Sequence, residues 1–178
     1  PDDVKRVAIV TQAGIPIDIQ PHLPQRLAAS RHVIGNGEGY KTLATVERLA
    51  EEFAVAGMTR SDLVIGLGGG MVTDVAGFAA ATWHRGVRII HVSTTLVGII
   101  DAAIGGKTGV NIAAGKNLVG AFWQPNGVIC DTDHLATLPE RELRCGHGEM
   151  AKYHFLTGDD LLSLSLASGV LFSLFGIL

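Results

Sequence analysis

The sequence predicts an α/β fold: a Rossmann-like parallel sheet with helices on both faces, followed by the start of a helical domain. Three observations carry this expectation. Short β-branched and apolar runs alternate with segments of helical period. One apolar run ends in three consecutive glycines that open a second helical stretch. From about Pro139 the chain turns polar and helical. The expected division is residues 1–138 for the α/β domain and 139–178 for the beginning of the helical one.

Taken in order, residues 7–11 form a β-branched run that reads as the first strand of a parallel sheet. A stretch punctuated by Pro16, Pro21 and Pro24 follows, then a weaker strand over residues 31–34. Within residues 41–56, Leu43, Val46, Leu49, Ala50, Phe53 and Ala54 recur at spacings of three and four, the pattern of an amphipathic helix stopped by Gly57. Residues 63–67 are a continuous apolar strand, residues 72–81 a helix, and residues 87–92 and 127–130 further strands.

Composition narrows the function. The chain has 178 residues, enough for one sizeable core and too few for two full domains. Its net charge of −3, with no Lys/Arg run, argues against a nucleic-acid partner. The 23 glycines are about twice the usual share and cluster between apolar runs, as tight turns and backbone contact sites do. Cys130 and Cys145 match neither a metal pair nor a disulfide framework, and read as buried or half-buried small hydrophobes in a reducing cytoplasm. The first six residues carry no signal-peptide pattern. Residues 161–178 are uncharged and touch the lower length limit of a membrane span, but four serines, two glycines and the lack of a flanking basic anchor disfavour one.

Four motifs carry chemistry. Gly68, Gly69 and Gly70, with Asp74 four positions on, sit at a strand end where backbone can approach a diphosphate at a helix N-terminus. A tight turn would need one glycine, and the spacing is not that of a plain dinucleotide fingerprint. Thr94 and Thr95 follow a strand, at a ligand rim or as a helix cap. Between Asp101 and Asn117 stand Lys107, Asn111 and Lys116 with four glycines, a set suited to a loop gathering cations and amides on an anionic, hydroxylated substrate. Glu149 and Lys152, three apart, share a helix face as site residues or as an ordinary surface ion pair. His147 and Arg85 stay open, the latter as a phosphate clamp or a solvated turn residue.

These motifs, in this order, resemble 3-dehydroquinate synthase, from about Val7 to Lys152: Gly-Gly-Gly-x-x-x-Asp, the Thr-Thr pair, Asp-Ala-Ala-Ile-Gly-Gly-Lys-Thr-Gly-Val-Asn, Gly-Lys-Asn-Leu-x-Gly-x-Phe and Gly-x-x-Glu-x-x-Lys. The resemblance implies a shikimate-pathway lyase. Such an enzyme converts a seven-carbon keto-sugar-acid phosphate (DAHP) to 3-dehydroquinate with loss of phosphate, using bound NAD and a divalent metal, zinc or cobalt. It implies that Gly68, Gly69, Gly70, Asp74, Thr94 and Thr95 hold NAD, with Glu38 and Lys41 at its adenosine end and Lys116 beside it. Arg85, Lys107, Asn117 and Lys152 would take the substrate's phosphate and carboxylate, with Asp101 near its hydroxyls. Glu149 would be a metal ligand. A cytoplasmic homodimer is the implied setting.

The chain departs from the pattern in two places. Gln12 stands where the family carries an acidic residue, and nothing after Lys152 can stand for the family's two histidine metal ligands; His154 is too close in sequence. The tail after Asp160 does not resemble the family. The expectation is therefore an incomplete enzyme that binds NAD weakly and does not turn over DAHP. The rival readings are another sugar-phosphate cyclase (making an inosose, a valiolone or aminodehydroquinate), a metal-dependent polyol dehydrogenase, and an inactive nucleotide-binding fragment.

Overall fold

The computed structural model describes residues 3–158. The apolar tail from residue 161 lies outside them; among the described residues no helix is long and apolar enough to cross a membrane. The elements are β1 (Arg6–Gln12), β2 (Ala28–Ile34), α1 (Leu43–Val55), β3 (Leu63–Gly68), α2 (Gly70–Thr82), β4 (Arg88–Ser93), β5 (Lys107–Ile112), β6 (Gly115–Phe122), β7 (Gly127–Cys130) and α3 (Glu140–Thr157). Five strands form one sheet in the order β2-β1-β3-β4-β7, every neighbouring pair parallel. A separate antiparallel hairpin joins β5 to β6.

Period-2 alternation sorts the central strands onto two apolar layers. Ala8, Val10, Val64 and Ile89 face α1 and α2, where they bury Leu49, Phe53, Val72, Val75 and Ala76. Val7, Ile9, Ile65, Leu67 and Val92 point the other way. Helix α1 starts where Thr42 caps it by accepting the Thr45 N–H at 3.2 Å. It presents Thr45, Val46, Leu49 and Phe53 inward, the stripe its spacing predicts. Helix α2 is apolar nearly all round because α1, the sheet and the hairpin enclose it.

Three expectations need correction. Among the described residues α1 and α2 cover the same face of the sheet; the second face is covered by Ile15, Ile17, Ile19, Leu23 and Leu27 of the irregular β1–β2 connection, whose prolines keep it from forming a long helix. Residues 101–117, expected as one loop, belong from Lys107 on to the β5–β6 hairpin, which runs to Phe122. Its glycines are cross-strand contact points: Gly109 pairs with Gly120, so the two backbones approach more closely than side chains would allow. Cys130 and Cys145 are both exposed. Cys130 ends the edge strand β7, and Cys145 lies on the exposed side of α3, where no layer of the described residues covers them.

A histidine in this core makes stability depend on acid. His91 in β4 is 2% exposed, its Nδ1 has no hydrogen-bond partner, and burial lowers its pKa from 6.5 to about 4. Gly66 leaves room for the ring, since a Cβ there would stand 2.8 Å from Nδ1. The fold holds His91 neutral, so its contribution is full above pH 6.5 and is lost as pH falls toward 4, to a total of about 3 kcal/mol. Urea denaturation between pH 7.5 and 4.5 should show that slope, and His91→Leu should flatten it. An unchanged slope in the variant would assign the acid sensitivity to other groups.

Candidate active site

The glycine turn lies where β3 passes into α2. Gly68 is the last strand residue, Gly69 the helix N-cap and Gly70 the first helical residue, with no side chain capping the helix. The Gly69 carbonyl accepts the N–H groups of Val72 and Thr73, whereas those of Gly70 and Met71 have no acceptor within the helix. The turn is packed tightly from below. A Cβ on Gly69 would come 2.8 Å from the Thr95 methyl, and one on Gly70 3.3 Å from Ala102. Thr94 donates its N–H to the Gly68 carbonyl at 3.1 Å. Thr95 Oγ1 accepts the Gly98 N–H at 3.2 Å, which ties this hydroxyl to the helical turn that follows it.

Beside this turn is a cleft of about 550 Å³, bounded by Asp74, Asp101, Lys107, Asn117 and Phe122. The hairpin forms one wall because Thr108 seats on α2 at Gly77, where a Cβ would come 2.4 Å from the Thr108 methyl. At one end Lys41, 4% exposed, donates from Nζ to both Asp74 and the Asn117 side-chain oxygen. Burial pushes the Asp74 carboxyl above its ordinary value, with Lys41 acting against that and the charges of Glu38 and Asp101 adding to it. The Glu38 carboxylate accepts from Asn111 Nδ2 at 2.8 Å. Gln12, which stands at the departed position, donates from Nε2 to the Gly35 carbonyl at 3.1 Å.

Helix α3 packs on the Gly98–Ala102 segment, which carries Asp101. Gly146 lets it approach the 96–102 segment, since a Cβ there would stand 2.4 Å from Leu96. Lys152 pairs with Glu149, which raises the lysine pKa, and the charge of Asp101 adds to that shift. Tyr153 places its hydroxyl 3.5 Å from the Asp101 carboxylate. His147, 7% exposed, is bonded through Nδ1 to the Leu143 carbonyl at 2.6 Å, a core role.

The residues named from sequence therefore divide. Asp74, Asp101, Lys107 and Asn117 border one cleft, Glu38 and Lys41 join it through hydrogen bonds, and Lys152, paired with Glu149, lies within electrostatic reach of Asp101. Arg85 and Lys116 are exposed and do not line it. Arg85 follows α2 at a φ of 64°, about 20 Å of helix away from Gly70, beside Gly86 where the Trp123 ring packs. Asn111, expected among the amides gathered on an anionic substrate, does not line the cleft and instead bonds Glu38 and the Asn117 backbone. Tyr153, which follows Lys152 with no signal of its own, went without a role in the sequence reading.

Fold and cleft together place this chain among the N-terminal α/β domains of sugar-phosphate cyclases. More narrowly, it belongs to the 3-dehydroquinate synthase family, whose N-terminal domain it matches over residues 31–145. A 3-dehydroquinate synthase of Cutibacterium acnes is 53% identical over 131 residues, 74% of this chain and 36% of that protein. A provisionally named aminodehydroquinate synthase of Amycolatopsis mediterranei is 57% identical over 126 residues, 71% of this chain and 36% of that one. Among solved structures, 2-deoxy-scyllo-inosose synthase in complex with carbaglucose-6-phosphate, NAD+ and Co2+ is 35% identical with a TM-score of 0.75, over 85% of this chain and 43% of that one. The chain thus spans little more than a third of the length of the two curated relatives.

Proposed function

We propose that this chain is the NAD-binding part of a 3-dehydroquinate synthase, which acts on the phosphorylated sugar acid DAHP together with a helical domain of the family's kind. The observation that carries this reading is the single cleft that joins Asp74, Asp101, Lys107 and Asn117 beside the Gly68–Gly70 turn. Residues 1–138 are the α/β unit and 139–178 the start of the second. Pro139 opens α3, and that helix packs on the 98–102 segment at the cleft.

The residues present fit the nucleotide. The uncapped N-terminus of α2, with bare backbone at Gly69 and Gly70, suits a diphosphate, and Asp74 one turn further on faces the cleft. Bound there, NAD supplies hydride uptake and return at a ring alcohol of the substrate. Lys107 brings positive charge and Asn117 an amide to the substrate's anionic groups, and Asp101 accepts from its hydroxyls. Lys152 adds a second positive charge from α3, close to Asp101. The metal fits less well. Glu149 offers one carboxylate, already paired with Lys152, and no cluster of three His, Cys, Asp or Glu able to hold an ion exists among the described residues. No step is assigned to a metal held by this chain alone.

The test is phosphate release from DAHP with NAD and zinc or cobalt, comparing this chain with one extended by a family helical domain. Activity is expected only in the extended protein and is lost on Glu149→Ala or Lys152→Ala, while the short chain binds NAD weakly. Equal rates in the two proteins would overturn the reading. The relative from Amycolatopsis mediterranei supports a second reading, in which the substrate carries an amino group in place of a hydroxyl. The amino analogue of DAHP, run in parallel, separates the two.

A further inference from the structure

Asn111 makes three hydrogen bonds between the Glu38–Lys41 turn and the hairpin, and the reaction described above gives it no part. Its backbone N–H donates to the Lys41 carbonyl at 2.8 Å, its Nδ2 donates to Glu38 Oε1 at 2.8 Å, and its Oδ1 accepts the Asn117 backbone N–H at 2.9 Å. Asn117 holds a φ of 56°, in the left-handed region that a residue with a Cβ seldom enters, and there its side-chain oxygen receives Lys41 Nζ. The chain leaves regular pairing at this point: the register between β5 and β6 slips between Val110 and Ile112, which puts Asn111 in the irregularity.

We propose that Asn111 is a positioning residue that locks the Glu38–Lys41 turn to the hairpin, so that the nucleotide side and the anion side of the cleft are held in one arrangement. Each of its three bonds reaches a residue assigned to one side or the other: Glu38 and Lys41 to the nucleotide, Asn117 to the substrate anion. The amide is the group that does this. Oδ1 accepts from an N–H while Nδ2 donates to a carboxylate, so the amide serves two partners with two separate atoms, which a hydroxyl, a carboxylate or an ammonium does not do at neutral pH. The proposal rests on the NAD reading for its consequence and on the hydrogen bonds for its geometry.

Asn111→Asp is nearly isosteric and supplies a readout that a merely structural residue would not move. As a carboxylate it still accepts from Asn117 but faces the Glu38 carboxylate; as a protonated acid it donates to Glu38 as the amide did. The charged groups around the position are Glu38 on the turn, Lys41 with Asp74 behind Asn117, and Lys116 next to Asn117 in sequence. NAD binding by the chain, measured by calorimetry, should be about tenfold weaker in Asn111→Asp than in wild type at pH 8 and close to wild type at pH 5.5. Asn111→Ala should be weaker at both pH values. In Asn111→Ala the Asn117 amide should exchange with solvent at least tenfold faster, read by NMR without any nucleotide. An unchanged Asn117 exchange rate in Asn111→Ala overturns the positioning role. Wild-type binding with no pH-dependent recovery in Asn111→Asp overturns the coupling of the two sides. Failure of the wild type to bind NAD at any pH would count against the nucleotide reading, and the Asn117 exchange rate would then decide the geometry separately.

Discussion

Lys41→Met is expected to destabilise the domain by about 3–5 kcal/mol at neutral pH, the usual cost of stranding one member of a buried ion pair. Nζ of Lys41 is enclosed and bonded to Asp74 and Asn117, so its removal leaves a partly buried carboxylate without its cation, close to the charges of Glu38 and Asp101, and a side-chain oxygen without that donor. The loss should depend on pH in a stated direction. Burial already raises the Asp74 carboxyl above its ordinary value, and without Lys41 the opposing pull is gone. A group with its folded pKa above the unfolded value favours folding when protonated, and that contribution disappears as pH rises. The variant should therefore be damaged most at pH 8 and least near pH 5. Adding Asp74→Asn to Lys41→Met should return much of the lost stability at pH 8. Urea denaturation of the three proteins at both pH values measures this. An equal loss at both, with no recovery in the double variant, would show that Lys41 acts through packing alone.

Gly120→Ala should be of similar size, on the order of 3 kcal/mol or more, because the obstacle is backbone. A Cβ there would stand 2.0 Å from the Thr108 carbonyl oxygen and 2.8 Å from the Gly109 Cα. No rotamer change relieves that, so β5 and β6 must part where they form the cleft wall. Thr108, which bonds the Ala121 carbonyl at 2.7 Å and fits against Gly77, would be displaced with them. Gly148→Ala is the control: a Cβ on it meets nothing within 4 Å, and in helix α3 alanine should be neutral or stabilising by about 1 kcal/mol. Thermal unfolding of the two variants compares them directly. A Gly120→Ala protein as stable as wild type would mean that the hairpin has slack at the Gly109–Gly120 pair.

The parallel strands and α1 were legible because burial writes its own period into the chain. Val64, Ile65 and Leu67 are buried on both faces and read as a continuous apolar run; Val46, Leu49 and Phe53 recur at helical spacing because one stripe of α1 is covered. The hairpin was not legible. Gly109, Gly120 and the polar groups around them lower the strand signal, and what stabilises the hairpin is α2, through Thr108 on Gly77 and Val110 in the main core. The cysteines were misread for a related reason: residue type predicts burial only where another layer covers the position.

By itself the sequence determined the order of the parallel strands and the helices between them, the glycine turn after β3, and, through its motifs, the family. Those features depend on local stereochemistry, hydrophobic period and residue identity, which are all carried by neighbours along the chain. Only the tertiary structure decided which charged residues meet. It brings Lys41 to Asp74 and Asn117, residues 33 and 76 positions away, and sets Asp101 near Lys152 while leaving Arg85 and Lys116 outside the cleft. A charge carries no period that fixes its direction, and it finds its partner only once helix α2 and the hairpin have packed against each other.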